Sequence, residues 1–264
     1  IGPEIFEALG VLRTEELAAL HRFDGAEQYF TRAVDFGYSF SVEETLQKWG
    51  HDEVLGDFVR LMRMIRPDVI AGLSTTGVGG GQHHQTSARL ALKAFKIAGD
   101  PTKYPEQIRE GLRPWQPKKI YFMTNFGGPA DPNAPKPART LSIDLSGYDS
   151  LLWKTYTEIG TEARSMHKCQ GMAQLLSLPG PLESTYYMAE TVIPGQVERA
   201  ERGMFDNVDS SIAGLAQYAG AQAPKELTDA LAAIASAVQG AQQAFDAGRD
   251  AAVVQPLASG LRTV

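Results

Sequence analysis

The sequence predicts an α/β protein built on a parallel, doubly wound sheet, and three observations carry that expectation. Short β-branched and aromatic segments alternate along the chain with longer segments of helical period. Glycine, proline and aspartate punctuate the joints between them. At 264 residues, with 43% hydrophobic residues, the chain can bury a core on both faces of a sheet. Parallel neighbours need crossover connections, which alternating helices supply.

Residues 14–21 form a short helix rich in Glu, Leu and Ala. Residues 28–35 have the aromatic and β-branched content of a strand ending in Asp35. Ser41-Val42-Glu43-Glu44 is a capping box that opens a helix. Residues 52–65 follow as a second helix, with Val54, Leu55, Phe58, Leu61, Met62 and Ile65 on one side. Arg66-Pro67 breaks it and leads into a strand over 68–74. Residues 85–98 form the next helix, with Ala88, Ala91, Leu92, Phe95 and Ala98 as its apolar side, and 118–124 the next strand. Residues 126–138 hold four prolines and form a connection. A short strand is expected at 140–145, helices at 150–159 and 161–176, and a strand at 184–192. Past residue 205 the chain turns Ala-rich. Pro224 opens a long helix there, and Gly240 and Gly248 are expected to interrupt it.

Composition narrows the function classes. A formal net charge of −6 lacks the basic excess of a general nucleic-acid binder. No apolar run reaches membrane-spanning length. The single cysteine, Cys169, rules out an intrachain disulfide. Ile1-Gly2-Pro3-Glu4 carries no initiator Met and no signal-peptide pattern, and residues 256–264 stop without a clear terminus, so both ends are expected to be cut within a longer protein.

The most informative stretch runs from Gly77 through Gly81 to Gln82-His83-His84-Gln85. It follows a strand and precedes a helix, the position where α/β folds bind ligands. Glycines let backbone approach a ligand closely, and neutral imidazoles ligate metals and carry protons. The glycine spacing matches neither a phosphate loop nor the dinucleotide fingerprint. His-Glu-x-x-His and Cys-x-x-Cys are absent. The loop is therefore a candidate metal or acid–base site. Adjacent helical residues diverge by about 100°, so His83 and His84 suit two different jobs.

Arg66-Pro67-Asp68-Val69-Ile70, Gly80-Gly81-Gln82-His83-His84-Gln85 and Ala88-Arg89-Leu90-Ala91 together resemble the PIG-L/LmbE-like zinc-dependent N-deacetylase family, as a large multidomain member. Arg13-Thr14-Glu15-Glu16 resembles its early Arg-x-x-Glu helix, and His167-Lys168-Cys169-Gln170 its later His-x-Ser-Gln helix. The resemblance implies a Rossmann-like catalytic domain over residues 1–175, lacking its N-terminal strand, and a helical extension over 176–264. It implies zinc-dependent hydrolysis of an N-acetyl group on an amino-sugar-like small molecule. By position, His84 matches a zinc ligand, Arg13 and Asp35 match substrate contacts, and His167 a supporting or proton-relaying histidine; His83 is the candidate to stabilise the oxyanion in place of the family's own histidine. Zinc would lower the pKa of its bound water toward roughly 7 and polarise the amide carbonyl.

Two departures stand out. The family's His-Pro-Asp-Asp-Glu motif, which supplies two zinc ligands and the general base, is absent and is expected upstream of residue 1. The first histidine of the family's His-x-x-His falls on Gly81. A catalytic zinc takes three protein ligands and an open position, so this chain alone is not expected to hold zinc tightly. A sheet lacking a buried strand is expected to take a neighbouring polypeptide into the slot, either the missing N-terminal segment or an adjacent chain. Simpler roles remain open: Arg13 as a surface residue, Asp35 as the cap of the 36–38 turn, and His167 as a core histidine satisfied by Gln170. The alternative for the whole chain is a non-catalytic carbohydrate-binding or assembly module that keeps the fold without the metal.

Overall fold

The computed structural model describes residues 6–76, 81–124, 139–172, 182–198, 200–220, 222–246, 248 and 250–264. Two compact units emerge, dividing after Asp206. In the first, the order is α1 (Phe6–Leu20), α2 (Val42–Trp49), α3 (His51–Ile65), β1 (Val69–Gly72), α4 (Gln82–Ile97), α5 (Pro105–Arg109), β2 (Lys119–Met123), β3 (Thr140–Asp144), β4 (Tyr148–Asp149), β5 (Lys154–Thr155), α6 (Tyr156–Arg164) and β6 (Glu183–Thr191). The chain has the α/β class expected of it. The four-stranded sheet has the order β1-β2-β6-β3. β1 and β2 run parallel, with Val69 opposite Lys119 and Gly72 opposite Phe122. The crossover between them carries α4, as a parallel pair requires. β6 runs antiparallel to both β2 and β3. The sheet therefore takes a strand from beyond residue 175.

α4 lies at the centre of the packing. One side, through Leu90, Ala94 and Ala98, meets Val54, Leu55, Val59 and Met62 of α3. The other side, through Ala88 and Phe95, meets Ile120 and Phe122 of β2. Phe95, Ile120 and Phe122 are buried, and each such side chain stabilises the fold by about 1.5–3 kcal/mol. The helix that begins with the paired histidines is thus fixed on two sides.

Local chemistry sets the ends of the neighbouring helices. The Ser41 hydroxyl accepts from the Glu44 amide at 3.0 Å and starts α2. Gly50 adopts φ 77° between α2 and α3, where a side chain would be strained. A Cβ there would also lie 2.7 Å from the Glu53 carboxylate.

The loop from α4 to α5 is gathered by one buried arginine. The Arg63 guanidinium donates to the carbonyls of Ala98, Asp100, Lys103 and Tyr104 and to Gln107 Oε1, over 2.8–3.3 Å. A lysine has one nitrogen and cannot reach this fan of acceptors. Arg63→Lys is therefore expected to lower stability by about 2 kcal/mol, the scale of one or two lost charge-assisted hydrogen bonds. A urea midpoint unchanged from the parent would overturn that account.

Several sequence expectations need correction. Residues 28–35 form no strand. Side chains hold them instead: Asp57 binds the amide and guanidinium of Arg32, and the Trp49 indole donates to the Val34 carbonyl at 2.8 Å. Residues 150–159 are not one helix. The Asp149 carboxylate accepts from the amides of Leu151 and Leu152, and Trp153 adopts φ 57°, which turns the chain into the β4–β5 hairpin. A capping box, Thr155 with Glu158, then starts α6. The expected 161–176 helix ends at Arg164 and is followed by a 3-10 turn, Lys168–Gln170. The glycine run 77–80, the proline-rich connection 126–138 and residues 173–176 fall outside the described residues, apart from the edges given above.

The second unit contains a 3-10 segment (Ala213–Ala219), α7 (Lys225–Ala244) and α8 (Ala251–Leu261). Gly240 does not interrupt α7. It faces Pro256 of α8, while a Cβ on Gly260 would lie 3.1 Å from Ala237. Small residues let these two helices approach closely. Among the described residues, no helix is long and apolar enough to cross a membrane.

Candidate active site

His83 and His84 occupy the first turn of α4, directly after the N-cap Gly81, and they face different surroundings. The His83 ring stacks on Trp49 at 5.2 Å, 17° from parallel, and takes the edge of Phe36 at 4.5 Å. The Lys48 ammonium lies 4.2 Å over the Phe36 ring. His83 Nε2 is buried and has no hydrogen-bond partner among the described residues. A buried polar nitrogen without a partner costs free energy and calls for an explanation. Burial lowers the His83 pKa; the nearby Asp35 carboxylate opposes that shift, and His84 adds to it.

His84 lines a cavity of about 440 Å³ together with Leu61, Ile65, Ser87 and Phe122. The residue is exposed overall, and partial burial of its ring lowers its pKa. A neutral imidazole with an accessible edge is the form that ligates a metal. Five consecutive residues, Val69 to Leu73, also line the cavity. Side chains alternate across a strand, so a lining of this kind means that the cavity runs along the edge of β1 rather than over one face. β1 is the outer strand of the described sheet.

Asp35 sits beside this pair. Its carboxylate accepts from the Gly37 amide at 2.7 Å and so caps the turn, which brings Phe36 against His83.

Arg13 and His167 form a second cluster on other elements. The Arg13 guanidinium donates from Nη1 to His167 Nδ1 at 2.9 Å and also binds Glu16. Glu16 accepts from the Cys169 amide at 2.6 Å. The two motifs, 154 residues apart in sequence, are thus joined where α1 packs on the 168–170 turn. Burial works to raise the Glu16 pKa, but the hydrogen bonds from Cys169 and Arg13 outweigh it and hold the carboxyl below its usual range. Burial, with the Arg13 charge beside it, lowers the His167 pKa. Sequence reasoning passed over Trp49; Glu16 was named as the Glu of the Arg-x-x-Glu motif, at i,i+3 from Arg13, without a role of its own.

No family model matches the chain. Two kinds of curated relative do. One is a mycothiol S-conjugate amidase of Streptomyces coelicolor, 33% identical over 78 residues, which are 30% of this chain and 26% of the relative. The other is a 1D-myo-inositol 2-acetamido-2-deoxy-alpha-D-glucopyranoside deacetylase. The Streptomyces avermitilis protein is 30% identical over 129 residues, 46% of this chain and 42% of the relative. The Streptomyces scabiei protein is 28% identical over 132 residues, 46% of this chain and 39% of the relative. This chain is similar to amide-cleaving hydrolases. It spans less than half the length of the relatives that it matches.

Among the described residues, no three His, Cys, Asp or Glu side chains converge on a point that would hold a metal. Of the two histidines, His84 is exposed, and His83 is half-buried against Trp49 and Phe36. The described residues do not by themselves fit a catalytic zinc, which takes three protein ligands.

Proposed function

We propose that the chain is part of a zinc-dependent N-deacetylase acting on an amino sugar or its conjugate. The observation that carries this reading is His84, at the first turn of α4, opening onto a cavity beside β1, the outer strand of the described sheet. The similarity to an amidase and two deacetylases supports the same chemistry. In this reading, His84 supplies one zinc ligand. The others lie on a further strand of the same protein that pairs with β1 and covers the apolar cavity. His83 is held rigid by Trp49 and offers a ring N–H to the amide oxygen. Asp35 serves the sugar, and His167, held by Arg13, assists from the second cluster.

The test uses the full-length protein and an N-acetylglucosamine–inositol conjugate. Acetate and free amine should be released in equal amounts, release should stop after chelation, and added zinc should restore it. Binding of the conjugate without release of amine would refute the deacetylase and establish the carbohydrate-binding module. Metal analysis of the isolated 264-residue chain adds a second check. One tightly held zinc per chain would show that the ligands are all within it.

A further inference from the structure

We infer that Arg13 is a positioning residue: clamped by Glu16, it holds His167 as the neutral Nε2–H tautomer, so that His167 meets its ligand as a hydrogen-bond donor and not as a base. The first step is a matter of donors. A guanidinium has only N–H groups and no acceptor. The 2.9 Å contact between Arg13 Nη1 and His167 Nδ1 therefore requires a lone pair on Nδ1. A neutral imidazole with a bare Nδ1 carries its proton on Nε2.

The second step is what holds Arg13. Its Nη1 also binds the Glu16 carboxylate, and Glu16 is in turn tied to the Cys169 backbone amide at 2.6 Å. The Glu16 side chain is only 11% exposed. The clamp spans α1 and the turn that carries His167, so Arg13 is fixed relative to the ring that it addresses. Nη1 is thereby committed to the protein.

The third step is charge. Burial weighs most against a cation at His167, the Arg13 charge adds to it, Glu16 opposes it, and Arg164 adds a little more. A proton on Nδ1 would also break the bond from Arg13. Geometry and charge both keep the ring neutral, with the Nε2–H edge as its working edge. The tautomer stands independently of the deacetylase reading. The role given to it, donation to an oxygen of the bound amide or sugar, rests on that reading.

The experiment is long-range ¹H–¹⁵N correlation on the full-length protein with ¹⁵N-labelled histidine, His167 being assigned by the signal lost in His167→Gln. At neutral pH, His167 should show a pyrrole-like Nε2 and a pyridine-like Nδ1. The folded pKa is depressed, so the ring should stay neutral as pH falls through the ordinary value of about 6.5. Arg13→Met should give a mixture of tautomers and move the midpoint up toward that value. A wild-type His167 that is mainly Nδ1–H, or doubly protonated at neutral pH, overturns the inference even if the variant does not fold. For the role, Arg13→Met and His167→Ala should each lower kcat/KM by about 10-fold, the scale of one hydrogen bond, and the double variant no further. Additive losses would refute the positioning role. Absence of hydrolysis alongside the Nε2–H tautomer would refute the deacetylase reading alone.

Discussion

Replacing His84 by alanine in the full-length protein is expected to remove bound zinc and amide hydrolysis together, whereas His83→Ala should leave the metal in place and slow turnover by about 10²–10³-fold, as the loss of an oxyanion donor does. The two residues are adjacent, yet their rings meet different surroundings. His84 opens to the cavity along β1, and His83 is stacked on Trp49 with Phe36 at its edge. A metal beside the cavity is in position to be bound by the first and not by the second. Metal content and kcat measured on the two variants decide the matter. Equal loss of zinc from both would show that the histidines share one task.

The largest effect on stability is expected at Glu201. Its carboxylate binds the Lys119 ammonium at 2.7 Å, accepts from the Tyr121 hydroxyl at 2.7 Å and accepts from the Gln196 amide at 2.8 Å. The Lys119 side chain is fully buried and Glu201 is 7% exposed. Burial, and then the carboxylate beside it, push the Tyr121 pKa up. Glu201→Ala would leave the ammonium, among the described residues, with the carbonyls of Met204 and Asp206 and no carboxylate. Removing one partner of a buried pair costs about 3–5 kcal/mol. Adding Lys119→Met to Glu201→Ala should recover part of that loss, because the unpaired charge is then gone. Tyr121 and Gln196 still lose their acceptor, so recovery is incomplete. Denaturant midpoints of the two single variants and the double variant measure the coupling. A double variant as unstable as the sum of its parts would refute it.

These clusters show what a sequence discloses and what it withholds. The core helices were legible because their apolar spacing is local. Val54, Leu55 and Met62 of α3, and Ala88, Phe95 and Ala98 of α4, repeat at the helical period and are buried. Strands β1 and β2 were legible for the same reason, with strand-forming residues between breakers. Residues 28–35 looked equally strand-like, but a strand needs a ladder partner, and that partner is non-local. The Asp57 carboxylate and the Trp49 indole took the backbone groups instead. The histidine pair could be located from its glycine loop, but nothing local foretold that Trp49 would stack on His83. Arg13 and His167 could each be named, yet their contact bridges most of the domain. Its consequence for the ring proton becomes visible only when donor and acceptor face one another.

The trough along β1 also governs how the fold responds to denaturant. The slope of stability against denaturant and the heat capacity of unfolding both scale with the surface newly exposed as the chain opens. Walls such as Ile65, already 50% exposed, contribute less to that difference because water reaches them in the folded state. The first unit should therefore unfold with a shallower slope and a smaller heat-capacity step than a domain of its length with a closed sheet. A strand that settles on that edge should steepen the slope, enlarge the step, and itself bind with a negative heat-capacity change.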